Sequence, residues 1–222
     1  MVSIGLITEG ITDQIIIEHL LAIYFESEEL NIRILQPLRD ETDIAKQGNT
    51  GNWLKVFEYC SSENLLDSLN FIDYVIIQID TDVCEEINFG ISRIEQGHIL
   101  TDAELFDKVK EKIISKFPKN LLENYLNNIV FAICINSIEC WLLPLYYNDK
   151  KKYKVVNCLN TLNQALEGVE GFTIDKNKKN YGDYYSIIAN KYGKKSKIIT
   201  KSLFNYSFTK FVESISKINI NL

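Results

Sequence analysis

The sequence has little of what defines several protein classes. It contains only three prolines and ten glycines among 222 residues, which excludes collagen-like or linker-dominated sequence. No apolar run reaches the roughly 18 residues that a membrane-spanning helix needs. Residues 1–5 carry none of the basic side chains that open a signal peptide. Apolar residues still make up 46% of the chain, so we expect a globular, cytoplasmic protein with a real core and no membrane partner.

Cysteine and histidine are also sparse. The cysteines are Cys60, Cys84, Cys134, Cys140 and Cys158. Their number is odd and none form a CxxC pair, which argues against a disulfide framework or a zinc finger and predicts free thiols in a reducing compartment. His19 and His98 are too few for a histidine-rich metal site. Any metal would therefore be held by carboxylates, which favours a hard ion such as Mg²⁺ or Mn²⁺.

Charge is distributed unevenly along the chain. Residues 1–149 hold 10 Lys and Arg against 25 Asp and Glu, a net charge of −15. Residues 150–222 hold 14 Lys against 5 Asp and Glu, a net charge of +9. This asymmetry predicts an acidic site beside a cationic surface. The alternative is that the lysines only occupy the solvent-exposed faces of helices.

Apolar runs alternate with helical patterns through the first 147 residues. The predicted strands are residues 2–8, 31–36, 71–79 and 129–135. The predicted helices cover 14–25, part of 53–69, a segment from Thr101 and a segment through Glu139, with Thr12, Asp13, Asn136 and Ser137 as candidate caps. Such alternation predicts an α/β fold with a mostly parallel central sheet and helices on both faces.

The second half of the chain is organised differently. Amphipathic patterns predict helices at 155–166 and 203–215, and the polar segments 37–52 and 168–192 are predicted to be functional loops. We therefore divide the chain into a metal-binding domain, residues 1–150, and a Lys-rich helical extension, residues 151–222. The extension is expected to pack on or beside the sheet.

Acidic residues follow three of the predicted strands. Glu9 follows the first, Asp80 and Asp82 close the third, and Glu139 comes just after the fourth. Ligands of parallel sheets gather at the carboxyl ends of the strands. Residues 80 and 82 would share one face of an extended chain, where two carboxylates repel each other unless a cation lies between them. These residues therefore predict a divalent-metal site.

Each of these residues also has a purely structural explanation. An aspartate after a strand often caps the next helix, which is our interpretation of Asp13. The structural alternative for Glu139 is that its negative charge only stabilises the N-terminus of a helix. Trp141 is more typical of a core position than of a platform for stacking bases.

The motifs resemble those of Toprim domains. Residues 8–13 (TEGITD), between a strand and an apolar helix, look like the opening Glu-Gly motif of that family, and residues 80–82 (DTD) look like its DxD motif. Residues 136–144 (NSIECWLLP) and 48–56 (GNTGNWLKV) are similar to small stand-alone Toprim-like proteins of bacterial defence islands. The resemblance covers about residues 2–147 and extends to the nuclease domain of overcoming-lysogenization-defect proteins.

This resemblance implies a magnesium-dependent nuclease that acts in antiviral defence. Glu9 would be a general base or a metal ligand, Asp80 and Asp82 would bind Mg²⁺ or Mn²⁺, and Glu139 would support the first or a second ion. The chain carries no recognisable ATPase half, so an ATPase partner protein is one implied partner. The sequence leaves the oligomeric state open.

The cationic extension offers contacts for nucleic acid. The predicted nucleic-acid-binding residues are Lys178, Lys179, Tyr181, Lys191, Lys194 and Lys195, with Lys197, Tyr184 and Tyr185 as further candidates. Two rival functions remain at this point. One is a non-catalytic Toprim-like binding or sensor subunit of a defence complex. The other is a phosphatase that uses Asp80 as its nucleophile, which leaves Glu9 without a role.

Overall fold

The computed structural model describes residues 1–26, 30–39, 52–175 and 181–219. The first half runs β1 (Val2–Ile7), α1 (Ile11–Phe25), β2 (Leu30–Gln36), α2 (Asn52–Ser61), α3 (Glu63–Leu69) and β3 (Tyr74–Asp80). It continues through β4 (Ile94–Glu95), β5 (His98–Ile99), α4 (Asp102–Ile114), α5 (Lys119–Asn124), β6 (Ile129–Cys134) and α6 (Glu139–Tyr146). The extension holds α7 (Cys158–Val169), α8 (Tyr181–Asn190), α9 (Lys195–Ser202) and α10 (Tyr206–Ile215), and short 3₁₀ helices lie at Leu126–Asn128 and Lys150–Tyr153.

Four strands form one parallel sheet in the order β2-β1-β3-β6. This confirms the predicted α/β class and the parallel central sheet. The largest shift is at β3, which begins at Tyr74 rather than at residue 71. Asp73 explains why β3 begins late. Its carboxylate accepts hydrogen bonds from the N–H and hydroxyl of Ser3, which holds residue 73 in the turn beside the start of β1.

Alternate residues of the strands face two separate layers of helices. Ile76 of β3 faces a core that contains α1, α6 and the helices of the extension. Its neighbours Val75 and Ile77 face a second core, formed with α2, α3 and α4. Both faces of the sheet are therefore covered, which explains why its strands are apolar runs rather than alternating patterns.

The extension contributes to the first of these cores. The Trp141 indole on α6 is fully buried, with its ring centroid 4.9 Å from that of Phe208 and 5.2 Å from that of Phe211, both on α10. Its Nε1–H donates to the hydroxyl of Ser207 (2.9 Å), and the Tyr192 hydroxyl donates to its carbonyl (2.6 Å). Trp141 is thus a core residue, as expected. Deletion of residues 150–222 would expose this core and is not a clean test of ligand binding.

Three local expectations are wrong. Gly10, not Thr12 or Asp13, is the N-cap of α1, which therefore begins earlier than predicted. The N-cap of α6 is Ile138, because Asn136 takes a left-handed conformation (φ 68°) and its N–H donates to Thr81 Oγ1 (2.8 Å). The segment 168–192, predicted to be a loop, contains the ten-residue helix α8. Residues 40–51, most of the other predicted loop, are not among the described residues.

The expectation that all cysteines are free is also wrong. Cys140 of α6 and Cys158 of α7 form a disulfide, with their Cα atoms 5.1 Å apart. The other three, Cys60, Cys84 and Cys134, are buried free thiols. Spacing along the chain gave no signal for this pair, because the two cysteines lie on different helices and only their packing brings them together. Over the described ranges, no helix is both long and apolar enough to span a bilayer.

Candidate functional site

Glu9 and Asp80 meet where β1 and β3 end. These strands are neighbours in the sheet, so residues that follow their last paired positions lie side by side. Glu9 Oε1 accepts a hydrogen bond from the backbone N–H of Asp80 (2.7 Å). The structure therefore brings together the two residues on which the predicted site most depends.

Gln78 connects the same two residues from inside the sheet. It is fully buried on β3, its Oε1 accepts from the Glu9 N–H (3.0 Å), and its Nε2 donates to Asp80 Oδ1 (2.8 Å). Both ends of the amide are thus used, which fixes the Asp80 carboxylate. The site predicted from the sequence does not include this residue. Its signal was a single amide within the otherwise apolar run of residues 75–79.

Asp13 belongs to the site and is not a helix cap. It lies in the first turn of α1 with 7% of its surface exposed, and its charge acts on Asp80. Gly10 leaves room for it, because a Cβ at that position would lie 3.0 Å from Asp13 Oδ2. The interpretation of Asp13 as only a cap is therefore wrong. In the sequence, an aspartate at position 13 is as compatible with a helix cap as with a residue of the acidic site. No local pattern distinguishes these two roles.

Glu139 reaches the site from the first turn of α6. It is 2% exposed, and its Oε1 accepts a hydrogen bond from the hydroxyl of Tyr185 on α8 (2.5 Å). Tyr185 is fully buried, so the expectation that it stacks on bases is wrong. Tyr185 lies in the extension and from there fixes the Glu139 carboxylate. Tyr184, its neighbour, stacks on Phe172 with centroids 4.2 Å apart.

Asp82 is the most peripheral of the predicted acidic residues. Strand β3 ends at Asp80, so the alternation assumed for residues 80 and 82 does not extend to it. Its backbone N–H donates to the carbonyl of Asn136 (3.0 Å), which joins the loop after β3 to the loop after β6, and its side chain is exposed. Its charge still acts on Asp80.

The electrostatics of Asp80 summarise the cluster. Burial raises the pKa of Asp80 well above its usual range, and the carboxylates of Asp13, Glu9, Glu139 and Asp82 raise it further, in that order of effect. Burial and the Glu139 carboxylate likewise raise the pKa of Tyr185. Because negative charge is concentrated here, the site favours a proton or a bound cation.

Carboxylate and amide oxygens are the donors that hard divalent ions prefer, so the chemistry of this set fits Mg²⁺ or Mn²⁺. Among the described residues, no three or more His, Cys, Asp or Glu side chains are arranged so that they could hold a metal ion. The metal therefore stays a prediction.

The predicted nucleic-acid contacts are described only in part. Lys178, Lys179 and the side chain of Tyr181 fall outside the part of the chain that is described. Lys191 Nζ pairs with Glu170 (2.5 Å), and Lys195 Nζ lies 4.3 Å from the ring centroid of Tyr24. Lys194 is exposed at the start of α9, and Lys197 donates to the carbonyl of Lys191 (2.6 Å). Their role in binding nucleic acid stays a prediction.

Asp80→Asn should stabilise the metal-free protein at neutral and alkaline pH. The pKa of Asp80 is raised in the folded state, so its contribution to stability is complete below the ordinary carboxyl pKa and is lost as the pH rises through the folded-state pKa. The amide keeps the acceptor for Gln78 and removes the charge. Urea unfolding in EDTA should show a gain of about 0.5–3 kcal/mol at about pH 8 and little gain at about pH 4.

The matched control for this substitution is Asp67→Asn on α3, an exposed carboxylate. It should leave unfolding unchanged at both pH values. Equal stability of wild type and Asp80→Asn across this pH range would show that neither burial nor the neighbouring carboxylates raise the pKa of Asp80.

No protein-family model, curated protein or solved structure matches this chain.

Proposed function

We propose that this protein is a divalent-metal-dependent nuclease that hydrolyses phosphodiester bonds of DNA or RNA. The observation that carries the proposal is the set of carboxylates around Asp80 at the carboxyl end of a parallel sheet. Such an edge is where α/β sheets bind ligands, and a divalent cation there would relieve the repulsion between neighbouring carboxylates. Phosphodiester hydrolysis is chemistry that such a site can perform.

In this proposal the side chains of Asp80, Glu9 and Glu139 would draw together around Mg²⁺ or Mn²⁺ when the ion binds, and Asp82 would contribute from the rim. The bound ion would polarise a phosphoryl oxygen and lower the pKa of a water molecule. Gln78 keeps the Asp80 carboxylate in place through its 2.8 Å hydrogen bond, and Tyr185 does the same for Glu139. Asp13 supplies further negative charge and a candidate proton acceptor beside the reacting water.

The Toprim resemblance supports the same proposal. Its Glu-Gly motif corresponds to Glu9-Gly10 directly after β1, and its DxD motif to Asp80-Thr81-Asp82 at the end of β3. Glu9 and Asp80 are 71 positions apart in the chain, yet Glu9 accepts a hydrogen bond from the Asp80 N–H. A role in antiviral defence, with an ATPase partner, belongs to the proposal through this resemblance alone.

The test is cleavage of labelled single- and double-stranded DNA and RNA by the full chain, with Mg²⁺, Mn²⁺ or EDTA. We expect cleavage with the ions and none with EDTA. A chain that cuts none of the four substrates with either ion would contradict the proposal and favour a binding or sensor subunit. A phosphorylated Asp80 detected by mass spectrometry would favour the phosphatase alternative.

A further inference from the structure

A cavity of about 570 Å³ lies between the 3₁₀ helix Lys150–Tyr153 and the beginnings of α4 and α10. Its wall includes three aromatic rings, those of Tyr153, Phe204 and Tyr206, and we call it the aromatic pocket. Tyr153 is 55% exposed, and its ring stands edge-on to that of Phe204 with centroids 5.5 Å apart. Exposed rings in a cavity wall offer stacking surfaces to a planar ligand.

Two lysines flank one of these rings. Lys152 Nζ lies 4.0 Å and Lys201 Nζ 6.0 Å from the ring centroid of Phe204. Neither ammonium group pairs with a carboxylate in the residues described. Burial lowers the pKa of Lys201, and the charges of Lys197 and Lys152 lower it further. Cations that crowd together beside aromatic rings would be stabilised by an anionic ligand.

One of the two acidic residues of the wall is paired with a lysine. Glu213 accepts from Lys210 Nζ (2.9 Å), and burial raises the pKa of Asp102. Lys152 and Lys201 do not line the pocket themselves; they lie beside it, next to the Phe204 ring, and place positive charge at its rim.

Asn205 supplies a hydrogen-bond donor that the protein does not use. It is 4% exposed and lines the pocket, and its Oδ1 caps α10 by accepting from the Phe208 N–H (3.0 Å) and the Ser207 hydroxyl (3.0 Å). These two bonds fix the orientation of the amide. Its Nδ2 is buried and has no hydrogen-bond partner in the described structure. Buried donors are normally satisfied, so a ligand acceptor that reached this atom would complete its hydrogen bonding.

The pocket lies at the same edge of the sheet as the carboxylates. Asn205 precedes Ser207, whose hydroxyl accepts from the Ile135 N–H (3.2 Å). Ile135 directly follows Cys134, which is paired with Asp80 in the register of β3 and β6. A polymer held in the pocket therefore begins near the edge where Asp80 lies.

From these contacts we infer that the aromatic pocket binds a nucleotide unit of single-stranded nucleic acid. The base stacks against the exposed ring of Tyr153 and accepts a hydrogen bond from Asn205 Nδ2, while Lys152 and Lys201 bind the adjoining phosphates. Bases of a duplex are stacked on each other and cannot enter such a pocket. This inference rests on the proposed function, because it names the substrate class of the same site.

The test is the binding of a fluorescein-labelled oligothymidylate to the full chain in EDTA, measured by fluorescence anisotropy over a range of salt concentrations. EDTA separates binding from cleavage. The double variant Lys152→Ala/Lys201→Ala should weaken binding and reduce the slope of log K against log salt by about 1.4, since each phosphate contact on a single strand contributes about 0.7. The matched control, Lys55→Ala/Lys119→Ala, removes the same charge from exposed positions on α2 and α5 and should change the slope less.

Two single variants test the other parts of the pocket. Tyr153→Ala should weaken binding roughly fivefold to a hundredfold through lost stacking, whereas Leu203→Ala, an exposed residue of the same wall without a ring, should not. Asn205→Asp keeps the helix cap and removes the free donor, so it should weaken binding while the melting temperature is retained.

Equal loss in both lysine pairs, or unchanged binding by Tyr153→Ala, would overturn the inference. Competition by thymidine monophosphate as strong as by the oligomer, at equal nucleotide concentration, would also overturn it and indicate a free-nucleotide site. A chain that binds the oligomer through this pocket but never cleaves would contradict the proposed nuclease and leave the pocket standing. A chain that cleaves but binds the oligomer independently of these residues would overturn the pocket alone.

Discussion

Asp80→Ala and Glu9→Ala should each reduce metal-dependent cleavage by at least roughly two to three orders of magnitude, the typical loss when one preorganised group is removed from a reaction centre. Both side chains lie at the junction of β1 and β3, and Glu9 accepts from the Asp80 N–H at 2.7 Å. Loss of either would remove a proposed oxygen ligand, and loss of Glu9 would also leave the Asp80 N–H without this acceptor. Initial rates on a labelled substrate with Mg²⁺ or Mn²⁺ would measure the effect.

The variants must remain folded for this result to count. Asp80→Ala removes a carboxylate whose pKa is raised by burial and by its acidic neighbours, so its melting temperature in EDTA should not fall below that of wild type by more than a few degrees. Asp67→Ala, an exposed carboxylate on α3, is the matched control and should cleave normally. Full activity in either Asp80→Ala or Glu9→Ala would refute the proposed site.

The second large effect concerns stability. Trp141→Ala should lower the free energy of unfolding by about 3–5 kcal/mol, the usual cost of deleting a large aromatic side chain from a core. The indole is fully buried between Phe208 and Phe211 of the extension and donates to Ser207. For a chain of this size the melting temperature should fall by about 10 °C. Chemical denaturation with circular dichroism would measure both quantities.

Phe71→Ala provides the control for this substitution. Phe71 is 79% exposed before β3, so its removal should change the unfolding free energy by no more than about 0.5 kcal/mol. If Trp141→Ala were as mild, the extension would not depend on α6 for its packing. A single cooperative transition in the wild type would agree with a core shared by residues 1–149 and the extension.

Local patterning predicted most of the sheet. The four strands were identifiable because each is buried on both faces and is therefore apolar throughout. Their parallel direction followed from the alternation of strands with helices. The same reasoning predicted that Glu9 and Asp80 would meet, because both follow strands that end at one edge. Predicting the sheet and the meeting of these two residues requires only the spacing of apolar residues along the chain and the direction of the strands.

Helix ends and the cysteine pair were harder to predict. Thr12 and Asp13 look like caps in the sequence, yet Gly10 takes that position because the chain leaves β1 directly into α1. The disulfide between Cys140 and Cys158 depends on how α6 and α7 pack, which spacing along the chain does not encode.

The sequence alone determined the fold class, the sheet edge and the presence there of Glu9 and Asp80, since these follow from periodicity within short segments. Only the tertiary structure decided that Asp13 and Gln78 join them and that Tyr185 of α8 holds Glu139. The reason is that the deciding contacts, between Gln78 and Glu9 and between Tyr185 and Glu139, connect elements far apart in the chain. Their geometry depends on how α1, α6 and the extension pack against the same face of the sheet, and no local pattern records that packing.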